Sequence, residues 1–453
     1  MALFQNASVP VACLPPDFPR PDGFDPQLDP SVRVDFRTDA ERIREVFPAG
    51  RTGPAEGETA HDLAGTQCWP GLLDVHVHLD KAHSWDRAPN RRGEFWDAIY
   101  LLRRDKDNWT ADDVRRRAQF SLESAWAHGS TAVRTHIDVG MDFGESSLAV
   151  MAELRAAWDG RISLQTVTLS GLEDFARGAG EAIAAKARAH GVTALGVMPI
   201  TNPDLPGQWD RFLAIARDHG LGVDCHVDEN GDPGARCLDA LAESVLRTGF
   251  DLPVASGHNC SLAVQPPDRQ RETLAKVRDA GIDIISLPLC NLYLQDRRRE
   301  STAGVQAGPD TEPDFDAPLG PPETPRWRGI TLLHEFMEAG VTTAVASDNV
   351  RDAFYAYGDL DAFEVWLFTH RLAHLDLNLA RSPETVTTAP ARIMGLDTDH
   401  GVIGPGARAD LIVFPGRRTL SHLLSRPWEP RRLIRGEGFR EPELPDYDRV
   451  APG

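Results

Sequence analysis

The sequence predicts an α/β chain built on a (β/α)8 barrel. Two observations carry this. Over about 280 residues, helix-like stretches alternate with short apolar runs, most helices ending at Gly, and such alternation builds a parallel sheet. Starting from PGLLDVHVHLDK (70–81) there are eight such runs, the number that closes a barrel. A length of 453 residues suits one large barrel plus a smaller domain. A doubly wound open sheet is the other parallel arrangement. No G-x-G-x-x-G follows the first strand, which weighs against its dinucleotide-binding version.

In order, residues 1–69 are rich in Pro, Gly and Asp. Within them VRVDFR (32–37) reads as a strand and DAERIREVF (39–47) as a short helix or turn. Pro70 and Gly71 punctuate the entry to the first barrel strand, Leu72 to Val77. An amphipathic stretch lies inside 87–110, and Thr110 precedes the next helix as its N-cap, with Asp113 at capping-box spacing. Helices over 112–128, 146–158, 180–190 and 206–220 lead to strands 131–139, 161–169, 193–200 and 221–229. Helices over 235–249, 266–281 and 327–340 lead to strands 252–261, 282–289 and 341–349. Residues 296–326 form a long Pro/Gly/acid-rich loop after strand seven, which reads as a lid over the pocket or as a surface insertion or subunit contact. Beyond 400, GVIGPGARADLIVF and RRLIRGEGF are β-like and leave the barrel pattern.

Composition narrows the function. The chain is 41% hydrophobic and 26% charged, hence globular, with a formal net charge of −20. That balance argues against nucleic-acid and anionic-membrane partners. No apolar run approaches the roughly 18 residues of a membrane span, and the N-terminus lacks the basic start and apolar core of a signal peptide. The six cysteines form no C-x-x-C pair. They read as buried free thiols of a cytoplasmic protein.

The chemistry gathers at the strand ends, where a barrel of this type places its active site. His76 and His78 are two apart on strand one and so share a face. A bare H-x-H also fits two satisfied histidines. Here, however, strand two ends in His136-Ile-Asp138, strand five in His226-Val-Asp-Glu229, strand six in Gly257-His258 and strand eight in Ser347-Asp348-Asn349. His76, His78 and His226 supply nitrogen ligands and Asp348 an anionic oxygen, a set that suits a divalent metal with an open position for water. Glu229 is placed to shuttle a proton, and His258 to ligate metal or steady the attacking water. His136, between Arg134 and Asp138, reads as a core histidine in a polar network, and Lys81 as a solvated or salt-bridged lysine.

The set VHVHLDK, RTHIDV, CHVDE, SGHNCS, LPLCNLYLQDR and ASDNVRDAFYAYGDLDAF resembles the amidohydrolase superfamily, closest to its cytosine deaminase-like branch, over about residues 66–439. The resemblance implies a small β-sandwich domain from both chain ends (1–69 and 400–453) around a barrel at 70–399. It implies one metal ion, zinc or iron with manganese possible, on His76, His78, His226 and Asp348. It also implies Glu229 as proton shuttle and His258 facing the water. Where the branch carries a pyrimidine-reading glutamine after strand three, this chain has Ser170 and Gly171. Asn349 stands in place of a second aspartate, and Phe354 in place of a tryptophan over the ring. Gln295, in LYLQDR, completes the expected substrate contacts.

The expected function is hydrolytic deamination of an amino-substituted nitrogen heterocycle other than cytosine, with release of ammonia. Cleavage of a cyclic amide or N-substituted amine on a triazine- or pterin-like ring is the enzymatic alternative. A non-catalytic binding protein on the same barrel is the alternative of another class. The partners expected are a small heterocyclic substrate and further copies of the chain in a homo-oligomer.

Overall fold

The computed structural model describes residues 1–451 apart from 141–143, 300–307, 309–310, 317–319 and 429. The long loop at 296–326 therefore lies partly outside the described residues. The barrel strands are β1 (Leu72–Val77), β2 (Ser130–Asp138), β3 (Ser163–Gly171), β4 (Ala194–Leu195 with Val197–Met198), β5 (Gly222–Val227), β6 (Val254–His258), β7 (Asp283–Ser286) and β8 (Thr343–Val345). They lie side by side in sequence order. Just past β8, a parallel bridge between Val77 and Asp348 brings the chain back to β1 and closes the cylinder. β1 is buried at all six positions, as expected of a strand covered on both faces.

Most predicted elements are present with shifted ends. β4 is broken at Gly196, where an added Cβ would fall 2.3 Å from the Thr168 carbonyl and 2.6 Å from that of Asp224, so only Gly fits between the flanking strands. β7 is shorter than the run IDIISLPL suggests. From Pro288 the chain turns into a helix, Pro288–Leu294, because Pro is favoured in a first helical turn and unable to donate to a ladder. Among the other helices, α1 spans Phe95–Asp105 and α2 Ala111–His128. Thr110 caps α2 by accepting the Asp113 amide at 3.2 Å.

Contacts divide the chain into two compact units. One comprises Met1–Val75, Ser124–Ala132 and Asp361–Leu444; the other comprises His76–Glu123, Val133–Leu360 and Pro445–Gly453. The first holds an eight-stranded sheet from both chain ends, with Asp410–Phe414 antiparallel to Gln67–Pro70. Phe4, Val34, Phe36, Ile43, Leu411, Val413 and Ile434 form its core. Here one expectation is corrected: DAERIREVF holds no helix. Ile43–Pro48 is a strand antiparallel to Ser31–Thr38. The helix propensity of Glu and Arg is overridden by burial of Ile43 and the Arg37–Glu45 pair across the strands. All six cysteines are buried and free. No helix among the described residues is long and apolar enough to cross a membrane.

Candidate active site

His76 and His78 reach one point from β1, joined there by His226 from β5. The His226 Nε2 lies 3.1 Å from both the His76 and the His78 Nε2. Asp348 Oδ1 lies 3.2 Å from His78 Nε2 and 3.7 Å from His76 Nε2. A tetrahedral ion with bonds of about 2.0–2.1 Å needs ligand atoms about 3.3 Å apart, so four donors already stand at the spacing of one coordination shell. A ring nitrogen of His258 is within 4.8 Å of donors on His76, His226 and Asp348. Burial first, then neighbouring positive groups, holds His76, His78 and His226 well below the usual histidine range. They are neutral, with lone pairs to give. These donors fit a divalent metal.

Local backbone explains how the side chains arrive. Gly257 precedes His258 because a Cβ there would come within 3.0 Å of the His76 ring. His258 and Asp348 both take left-handed conformations, φ 67° and 65°, which are sparsely populated for such residues and cluster at functional sites. The Asp348 amide donates to the His76 carbonyl at 2.9 Å, fixing the carboxylate above β1. In CHVDE the two acids part company. Asp228 accepts the amides of Cys237 and Leu238 at 3.1 and 3.0 Å and so starts the next helix. Glu229 is left to the site, its Oε1 3.5 Å from His258 Nδ1. Burial, then the charge of Asp348, pushes the Glu229 carboxyl well above its ordinary value. Asn291 Nδ2 lies 3.0 Å from His258 Nδ1. With Nδ1 accepting, Nε2 carries the proton, and that atom is buried without a partner among the described residues.

The expected substrate contacts are distributed as follows. Phe354 packs edge-on against Phe95 of α1 at 5.6 Å, with Lys81 Nζ 5.3 Å from its ring. Asn349 donates to Asp352 Oδ2 at 2.7 Å. Gln295 Nε2 donates to the Glu229 carbonyl at 3.3 Å, which makes it a support for the shuttle. Ser170 and Gly171 end β3; the Ser170 hydroxyl is buried with no partner among the described residues, and the Gly171 amide is held by Asp174.

Sequence reasoning undervalued several groups. Lys81 is buried, its Nζ 3.1 Å from Asp138 Oδ2 and 3.4 Å from His78 Nδ1. Burial opposes its charge, but Asp138 and Asp80 outweigh that and raise its pKa. Beside it burial pushes Asp80 up to about 7. The His136 ring lies flat on His76 at 3.9 Å, its Nε2 3.7 Å from Asp224, which also accepts Arg134 at 2.9 Å. The expected partner Asp138 is instead paired with Lys81, and neither His136 ring nitrogen has a hydrogen-bond partner among the described residues. Cys290, Asn291 and Asp352 were unmarked: their positions depend on the Pro288–Leu294 helix after β7 and on a turn after β8, and spacing alone does not reveal them.

A model of the Amidohydrolase family matches residues 91–427. The pterin deaminase of Rhizobium rhizogenes strain K84 is 40% identical over 98% of this chain and 95% of its own length. The N-isopropylammelide isopropyl amidohydrolase of Pseudomonas sp. strain ADP is 23% identical over 78% of this chain and 81% of its own. Among solved structures, 5-methylcytosine deaminase from Klebsiella pneumoniae superposes with a TM-score of 0.78 at 22% identity, covering 98% of this chain and 99% of that one. The converging donors, the barrel that carries them and these matches over most of the length agree: the chain belongs to the amidohydrolase family.

Proposed function

We propose that this protein is a metal-dependent hydrolytic deaminase of an amino-substituted, pterin-like heterocycle. The observation that carries the reading is the meeting of three imidazole nitrogens and the Asp348 carboxylate, with Glu229 beside them against His258, at one end of the barrel. The 40% identity with a pterin deaminase over nearly the whole chain supports the choice of ring. His76, His78, His226 and Asp348 hold one divalent ion, zinc or iron with manganese as the alternative. Bound there, the ion supplies the Lewis acidity that makes water a nucleophile at neutral pH.

The residues then divide the work. Water adds to the ring carbon that bears the exocyclic amine. One of its protons passes through Glu229 to a ring nitrogen and stays there, and the second passes from the new hydroxyl through Glu229 to the amine. The new C–O bond stays, the C–N bond breaks, ammonia leaves, and the ring keeps an oxo group. His258, oriented by Asn291, donates from Nε2 to the oxygen as charge develops on it. Phe354 offers a face for the ring to stack on, and Lys81 a fixed positive charge beside it. Ser170 and Gly171 leave more room at the end of β3 than a glutamine would. A cytoplasmic location and a homo-oligomeric state belong to this reading; free buried thiols support the first.

The test is ammonia release from the metal-loaded protein across pterin, triazine, purine and pyrimidine amines, alongside elemental analysis. The reading expects about one ion per chain and the highest kcat/KM on a pterin-type ring. A metal-free protein of full activity, or cytosine as the best substrate at about 10⁴ M⁻¹s⁻¹ or above, overturns it.

A further inference from the structure

We infer that Asp352 decides which edge of Asn349 faces the substrate, so that the site selects a ring carrying an N–H beside its amine-bearing carbon. Asp352 is fully buried. Its Oδ1 accepts the amides of Phe354 and Tyr355 at 2.8 and 3.1 Å, and its Oδ2 accepts Asn349 Nδ2 at 2.7 Å. Its own amide donates to the Tyr355 carbonyl at 2.9 Å. Both carboxylate oxygens therefore act as acceptors, and a carboxylate has nothing else to offer. Asn349 must turn its NH2 toward Asp352.

What remains of the Asn349 amide is its oxygen. Asn349 Oδ1 accepts the Cys290 thiol at 3.8 Å, which uses one of its two lone pairs. Cys290 in turn shares a corner with Glu229 and Asp348, their donor atoms all within 4.8 Å of one another. The second lone pair of Asn349 Oδ1 is thus an uncharged acceptor at the reaction corner, one residue past Asp348. An acceptor pairs with an N–H and leaves a bare ring nitrogen unmatched. In a 2-amino-4-oxopteridine, a ring N–H adjoins the amine-bearing carbon. In cytosine, and in 2-aminopteridine without the oxo group, the ring nitrogens at that carbon carry no hydrogen. A site built to pair a donor discriminates strongly against a ring that lacks it.

This inference rests on the proposed deaminase reading. Its test compares 2-amino-4-oxopteridine with 2-aminopteridine, which differ little in size. Both are measured by kcat/KM with the wild-type enzyme, and by calorimetric binding to the full-length Glu229→Gln protein. Asp352→Asn keeps an oxygen for the Phe354 and Tyr355 amides but presents an NH2 to Asn349, which inverts it. The preference for the oxo ring, at least about tenfold in the wild type, should fall below about twofold or reverse. A loss of packing alone lowers both rings together and leaves the ratio standing. In an Asn349→Ala background, Asp352→Asn should no longer move the ratio, since Asp352 acts through Asn349. A wild-type ratio near one, or a ratio unmoved by Asp352→Asn, overturns the inference and leaves the deaminase reading intact. Neither binding nor turnover of either ring overturns both.

Discussion

Replacing Lys81 by Met removes a charge from beneath the candidate site while keeping its length. In the structure Lys81 Nζ is 3.1 Å from Asp138 Oδ2, with the lysine side chain 4% and the aspartate side chain 17% exposed. At an effective dielectric constant of about 20, two charges at that distance attract by about 5 kcal/mol. Part of that is offset by the water each ion regains when the pair is broken. Breaking a buried pair costs about 3–5 kcal/mol, and the partial exposure of Asp138 places this one near the lower end, about 3 kcal/mol. With an unfolding entropy of about 2.1 cal/mol/K per residue, a chain this long converts that to a fall in Tm of about 3 °C. Calorimetry on Lys81→Met, Asp138→Asn and the double variant reads the coupling, expected at about 2 kcal/mol because the double variant leaves no stranded charge. KM should rise as well, since the same ammonium flanks the Phe354 ring. Single losses that simply add, with a coupling under about 0.5 kcal/mol, would refute the pairing argument.

Three further outcomes follow from the same geometry. Glu229→Gln should retain fold and metal content yet lose roughly 10²–10⁴-fold in kcat; a loss below tenfold in steady-state assays points to another shuttle. Burial alone would raise Asp361 and Asp113, but Arg431 holds the first, and Arg87 with Arg117 the second, at about 2. Carboxylates so depressed stabilise the fold above the unfolded value near 3.8 and lose that contribution as pH falls toward about 2, on the order of 2 kcal/mol each. Acid titration by circular dichroism should show the Asp361→Asn variant less sensitive across that window than the wild type. The described part of the long loop is strapped to α1: Arg104 pairs with Glu312 at 2.8 Å and lies over Phe315, and Tyr100 Oη donates to the Gly308 carbonyl at 3.2 Å. Because α1 carries Phe95 against Phe354, shortening 308–316 should shift KM or substrate range more than Tm, measured by steady-state kinetics and calorimetry; the reverse pattern indicates a packing role.

Much of this was legible in one dimension. Alternation of helix-like and strand-like runs determines a parallel barrel, because period and punctuation are local properties that tertiary packing only trims. His76 and His78 could be paired from sequence because a strand puts alternate residues on one face. His226, Glu229, His258 and Asp348 could be joined to them because every parallel strand of a barrel ends at the same rim. Glu229 was picked out by its place three residues past His226; spacing did not reveal that Asp228 is spent on the start of the next helix while Glu229 lies against His258. The Ile43–Pro48 strand was missed because pairing with the preceding strand Ser31–Thr38 outweighs the helix propensity of Glu and Arg. Lys81, read as an ordinary solvated or salt-bridged lysine, is buried against Asp138 and His78 only once β1 and β2 adjoin. The orientation of Asn349 likewise waits on a turn that folds Asp352 back beneath it. Which side chains converge is thus a matter of residue type and strand period, which sequence carries. The hydrogen-bond partner that fixes a ligand's or a reader's useful face is set by turns and long-range contacts, and those exist only in the folded chain.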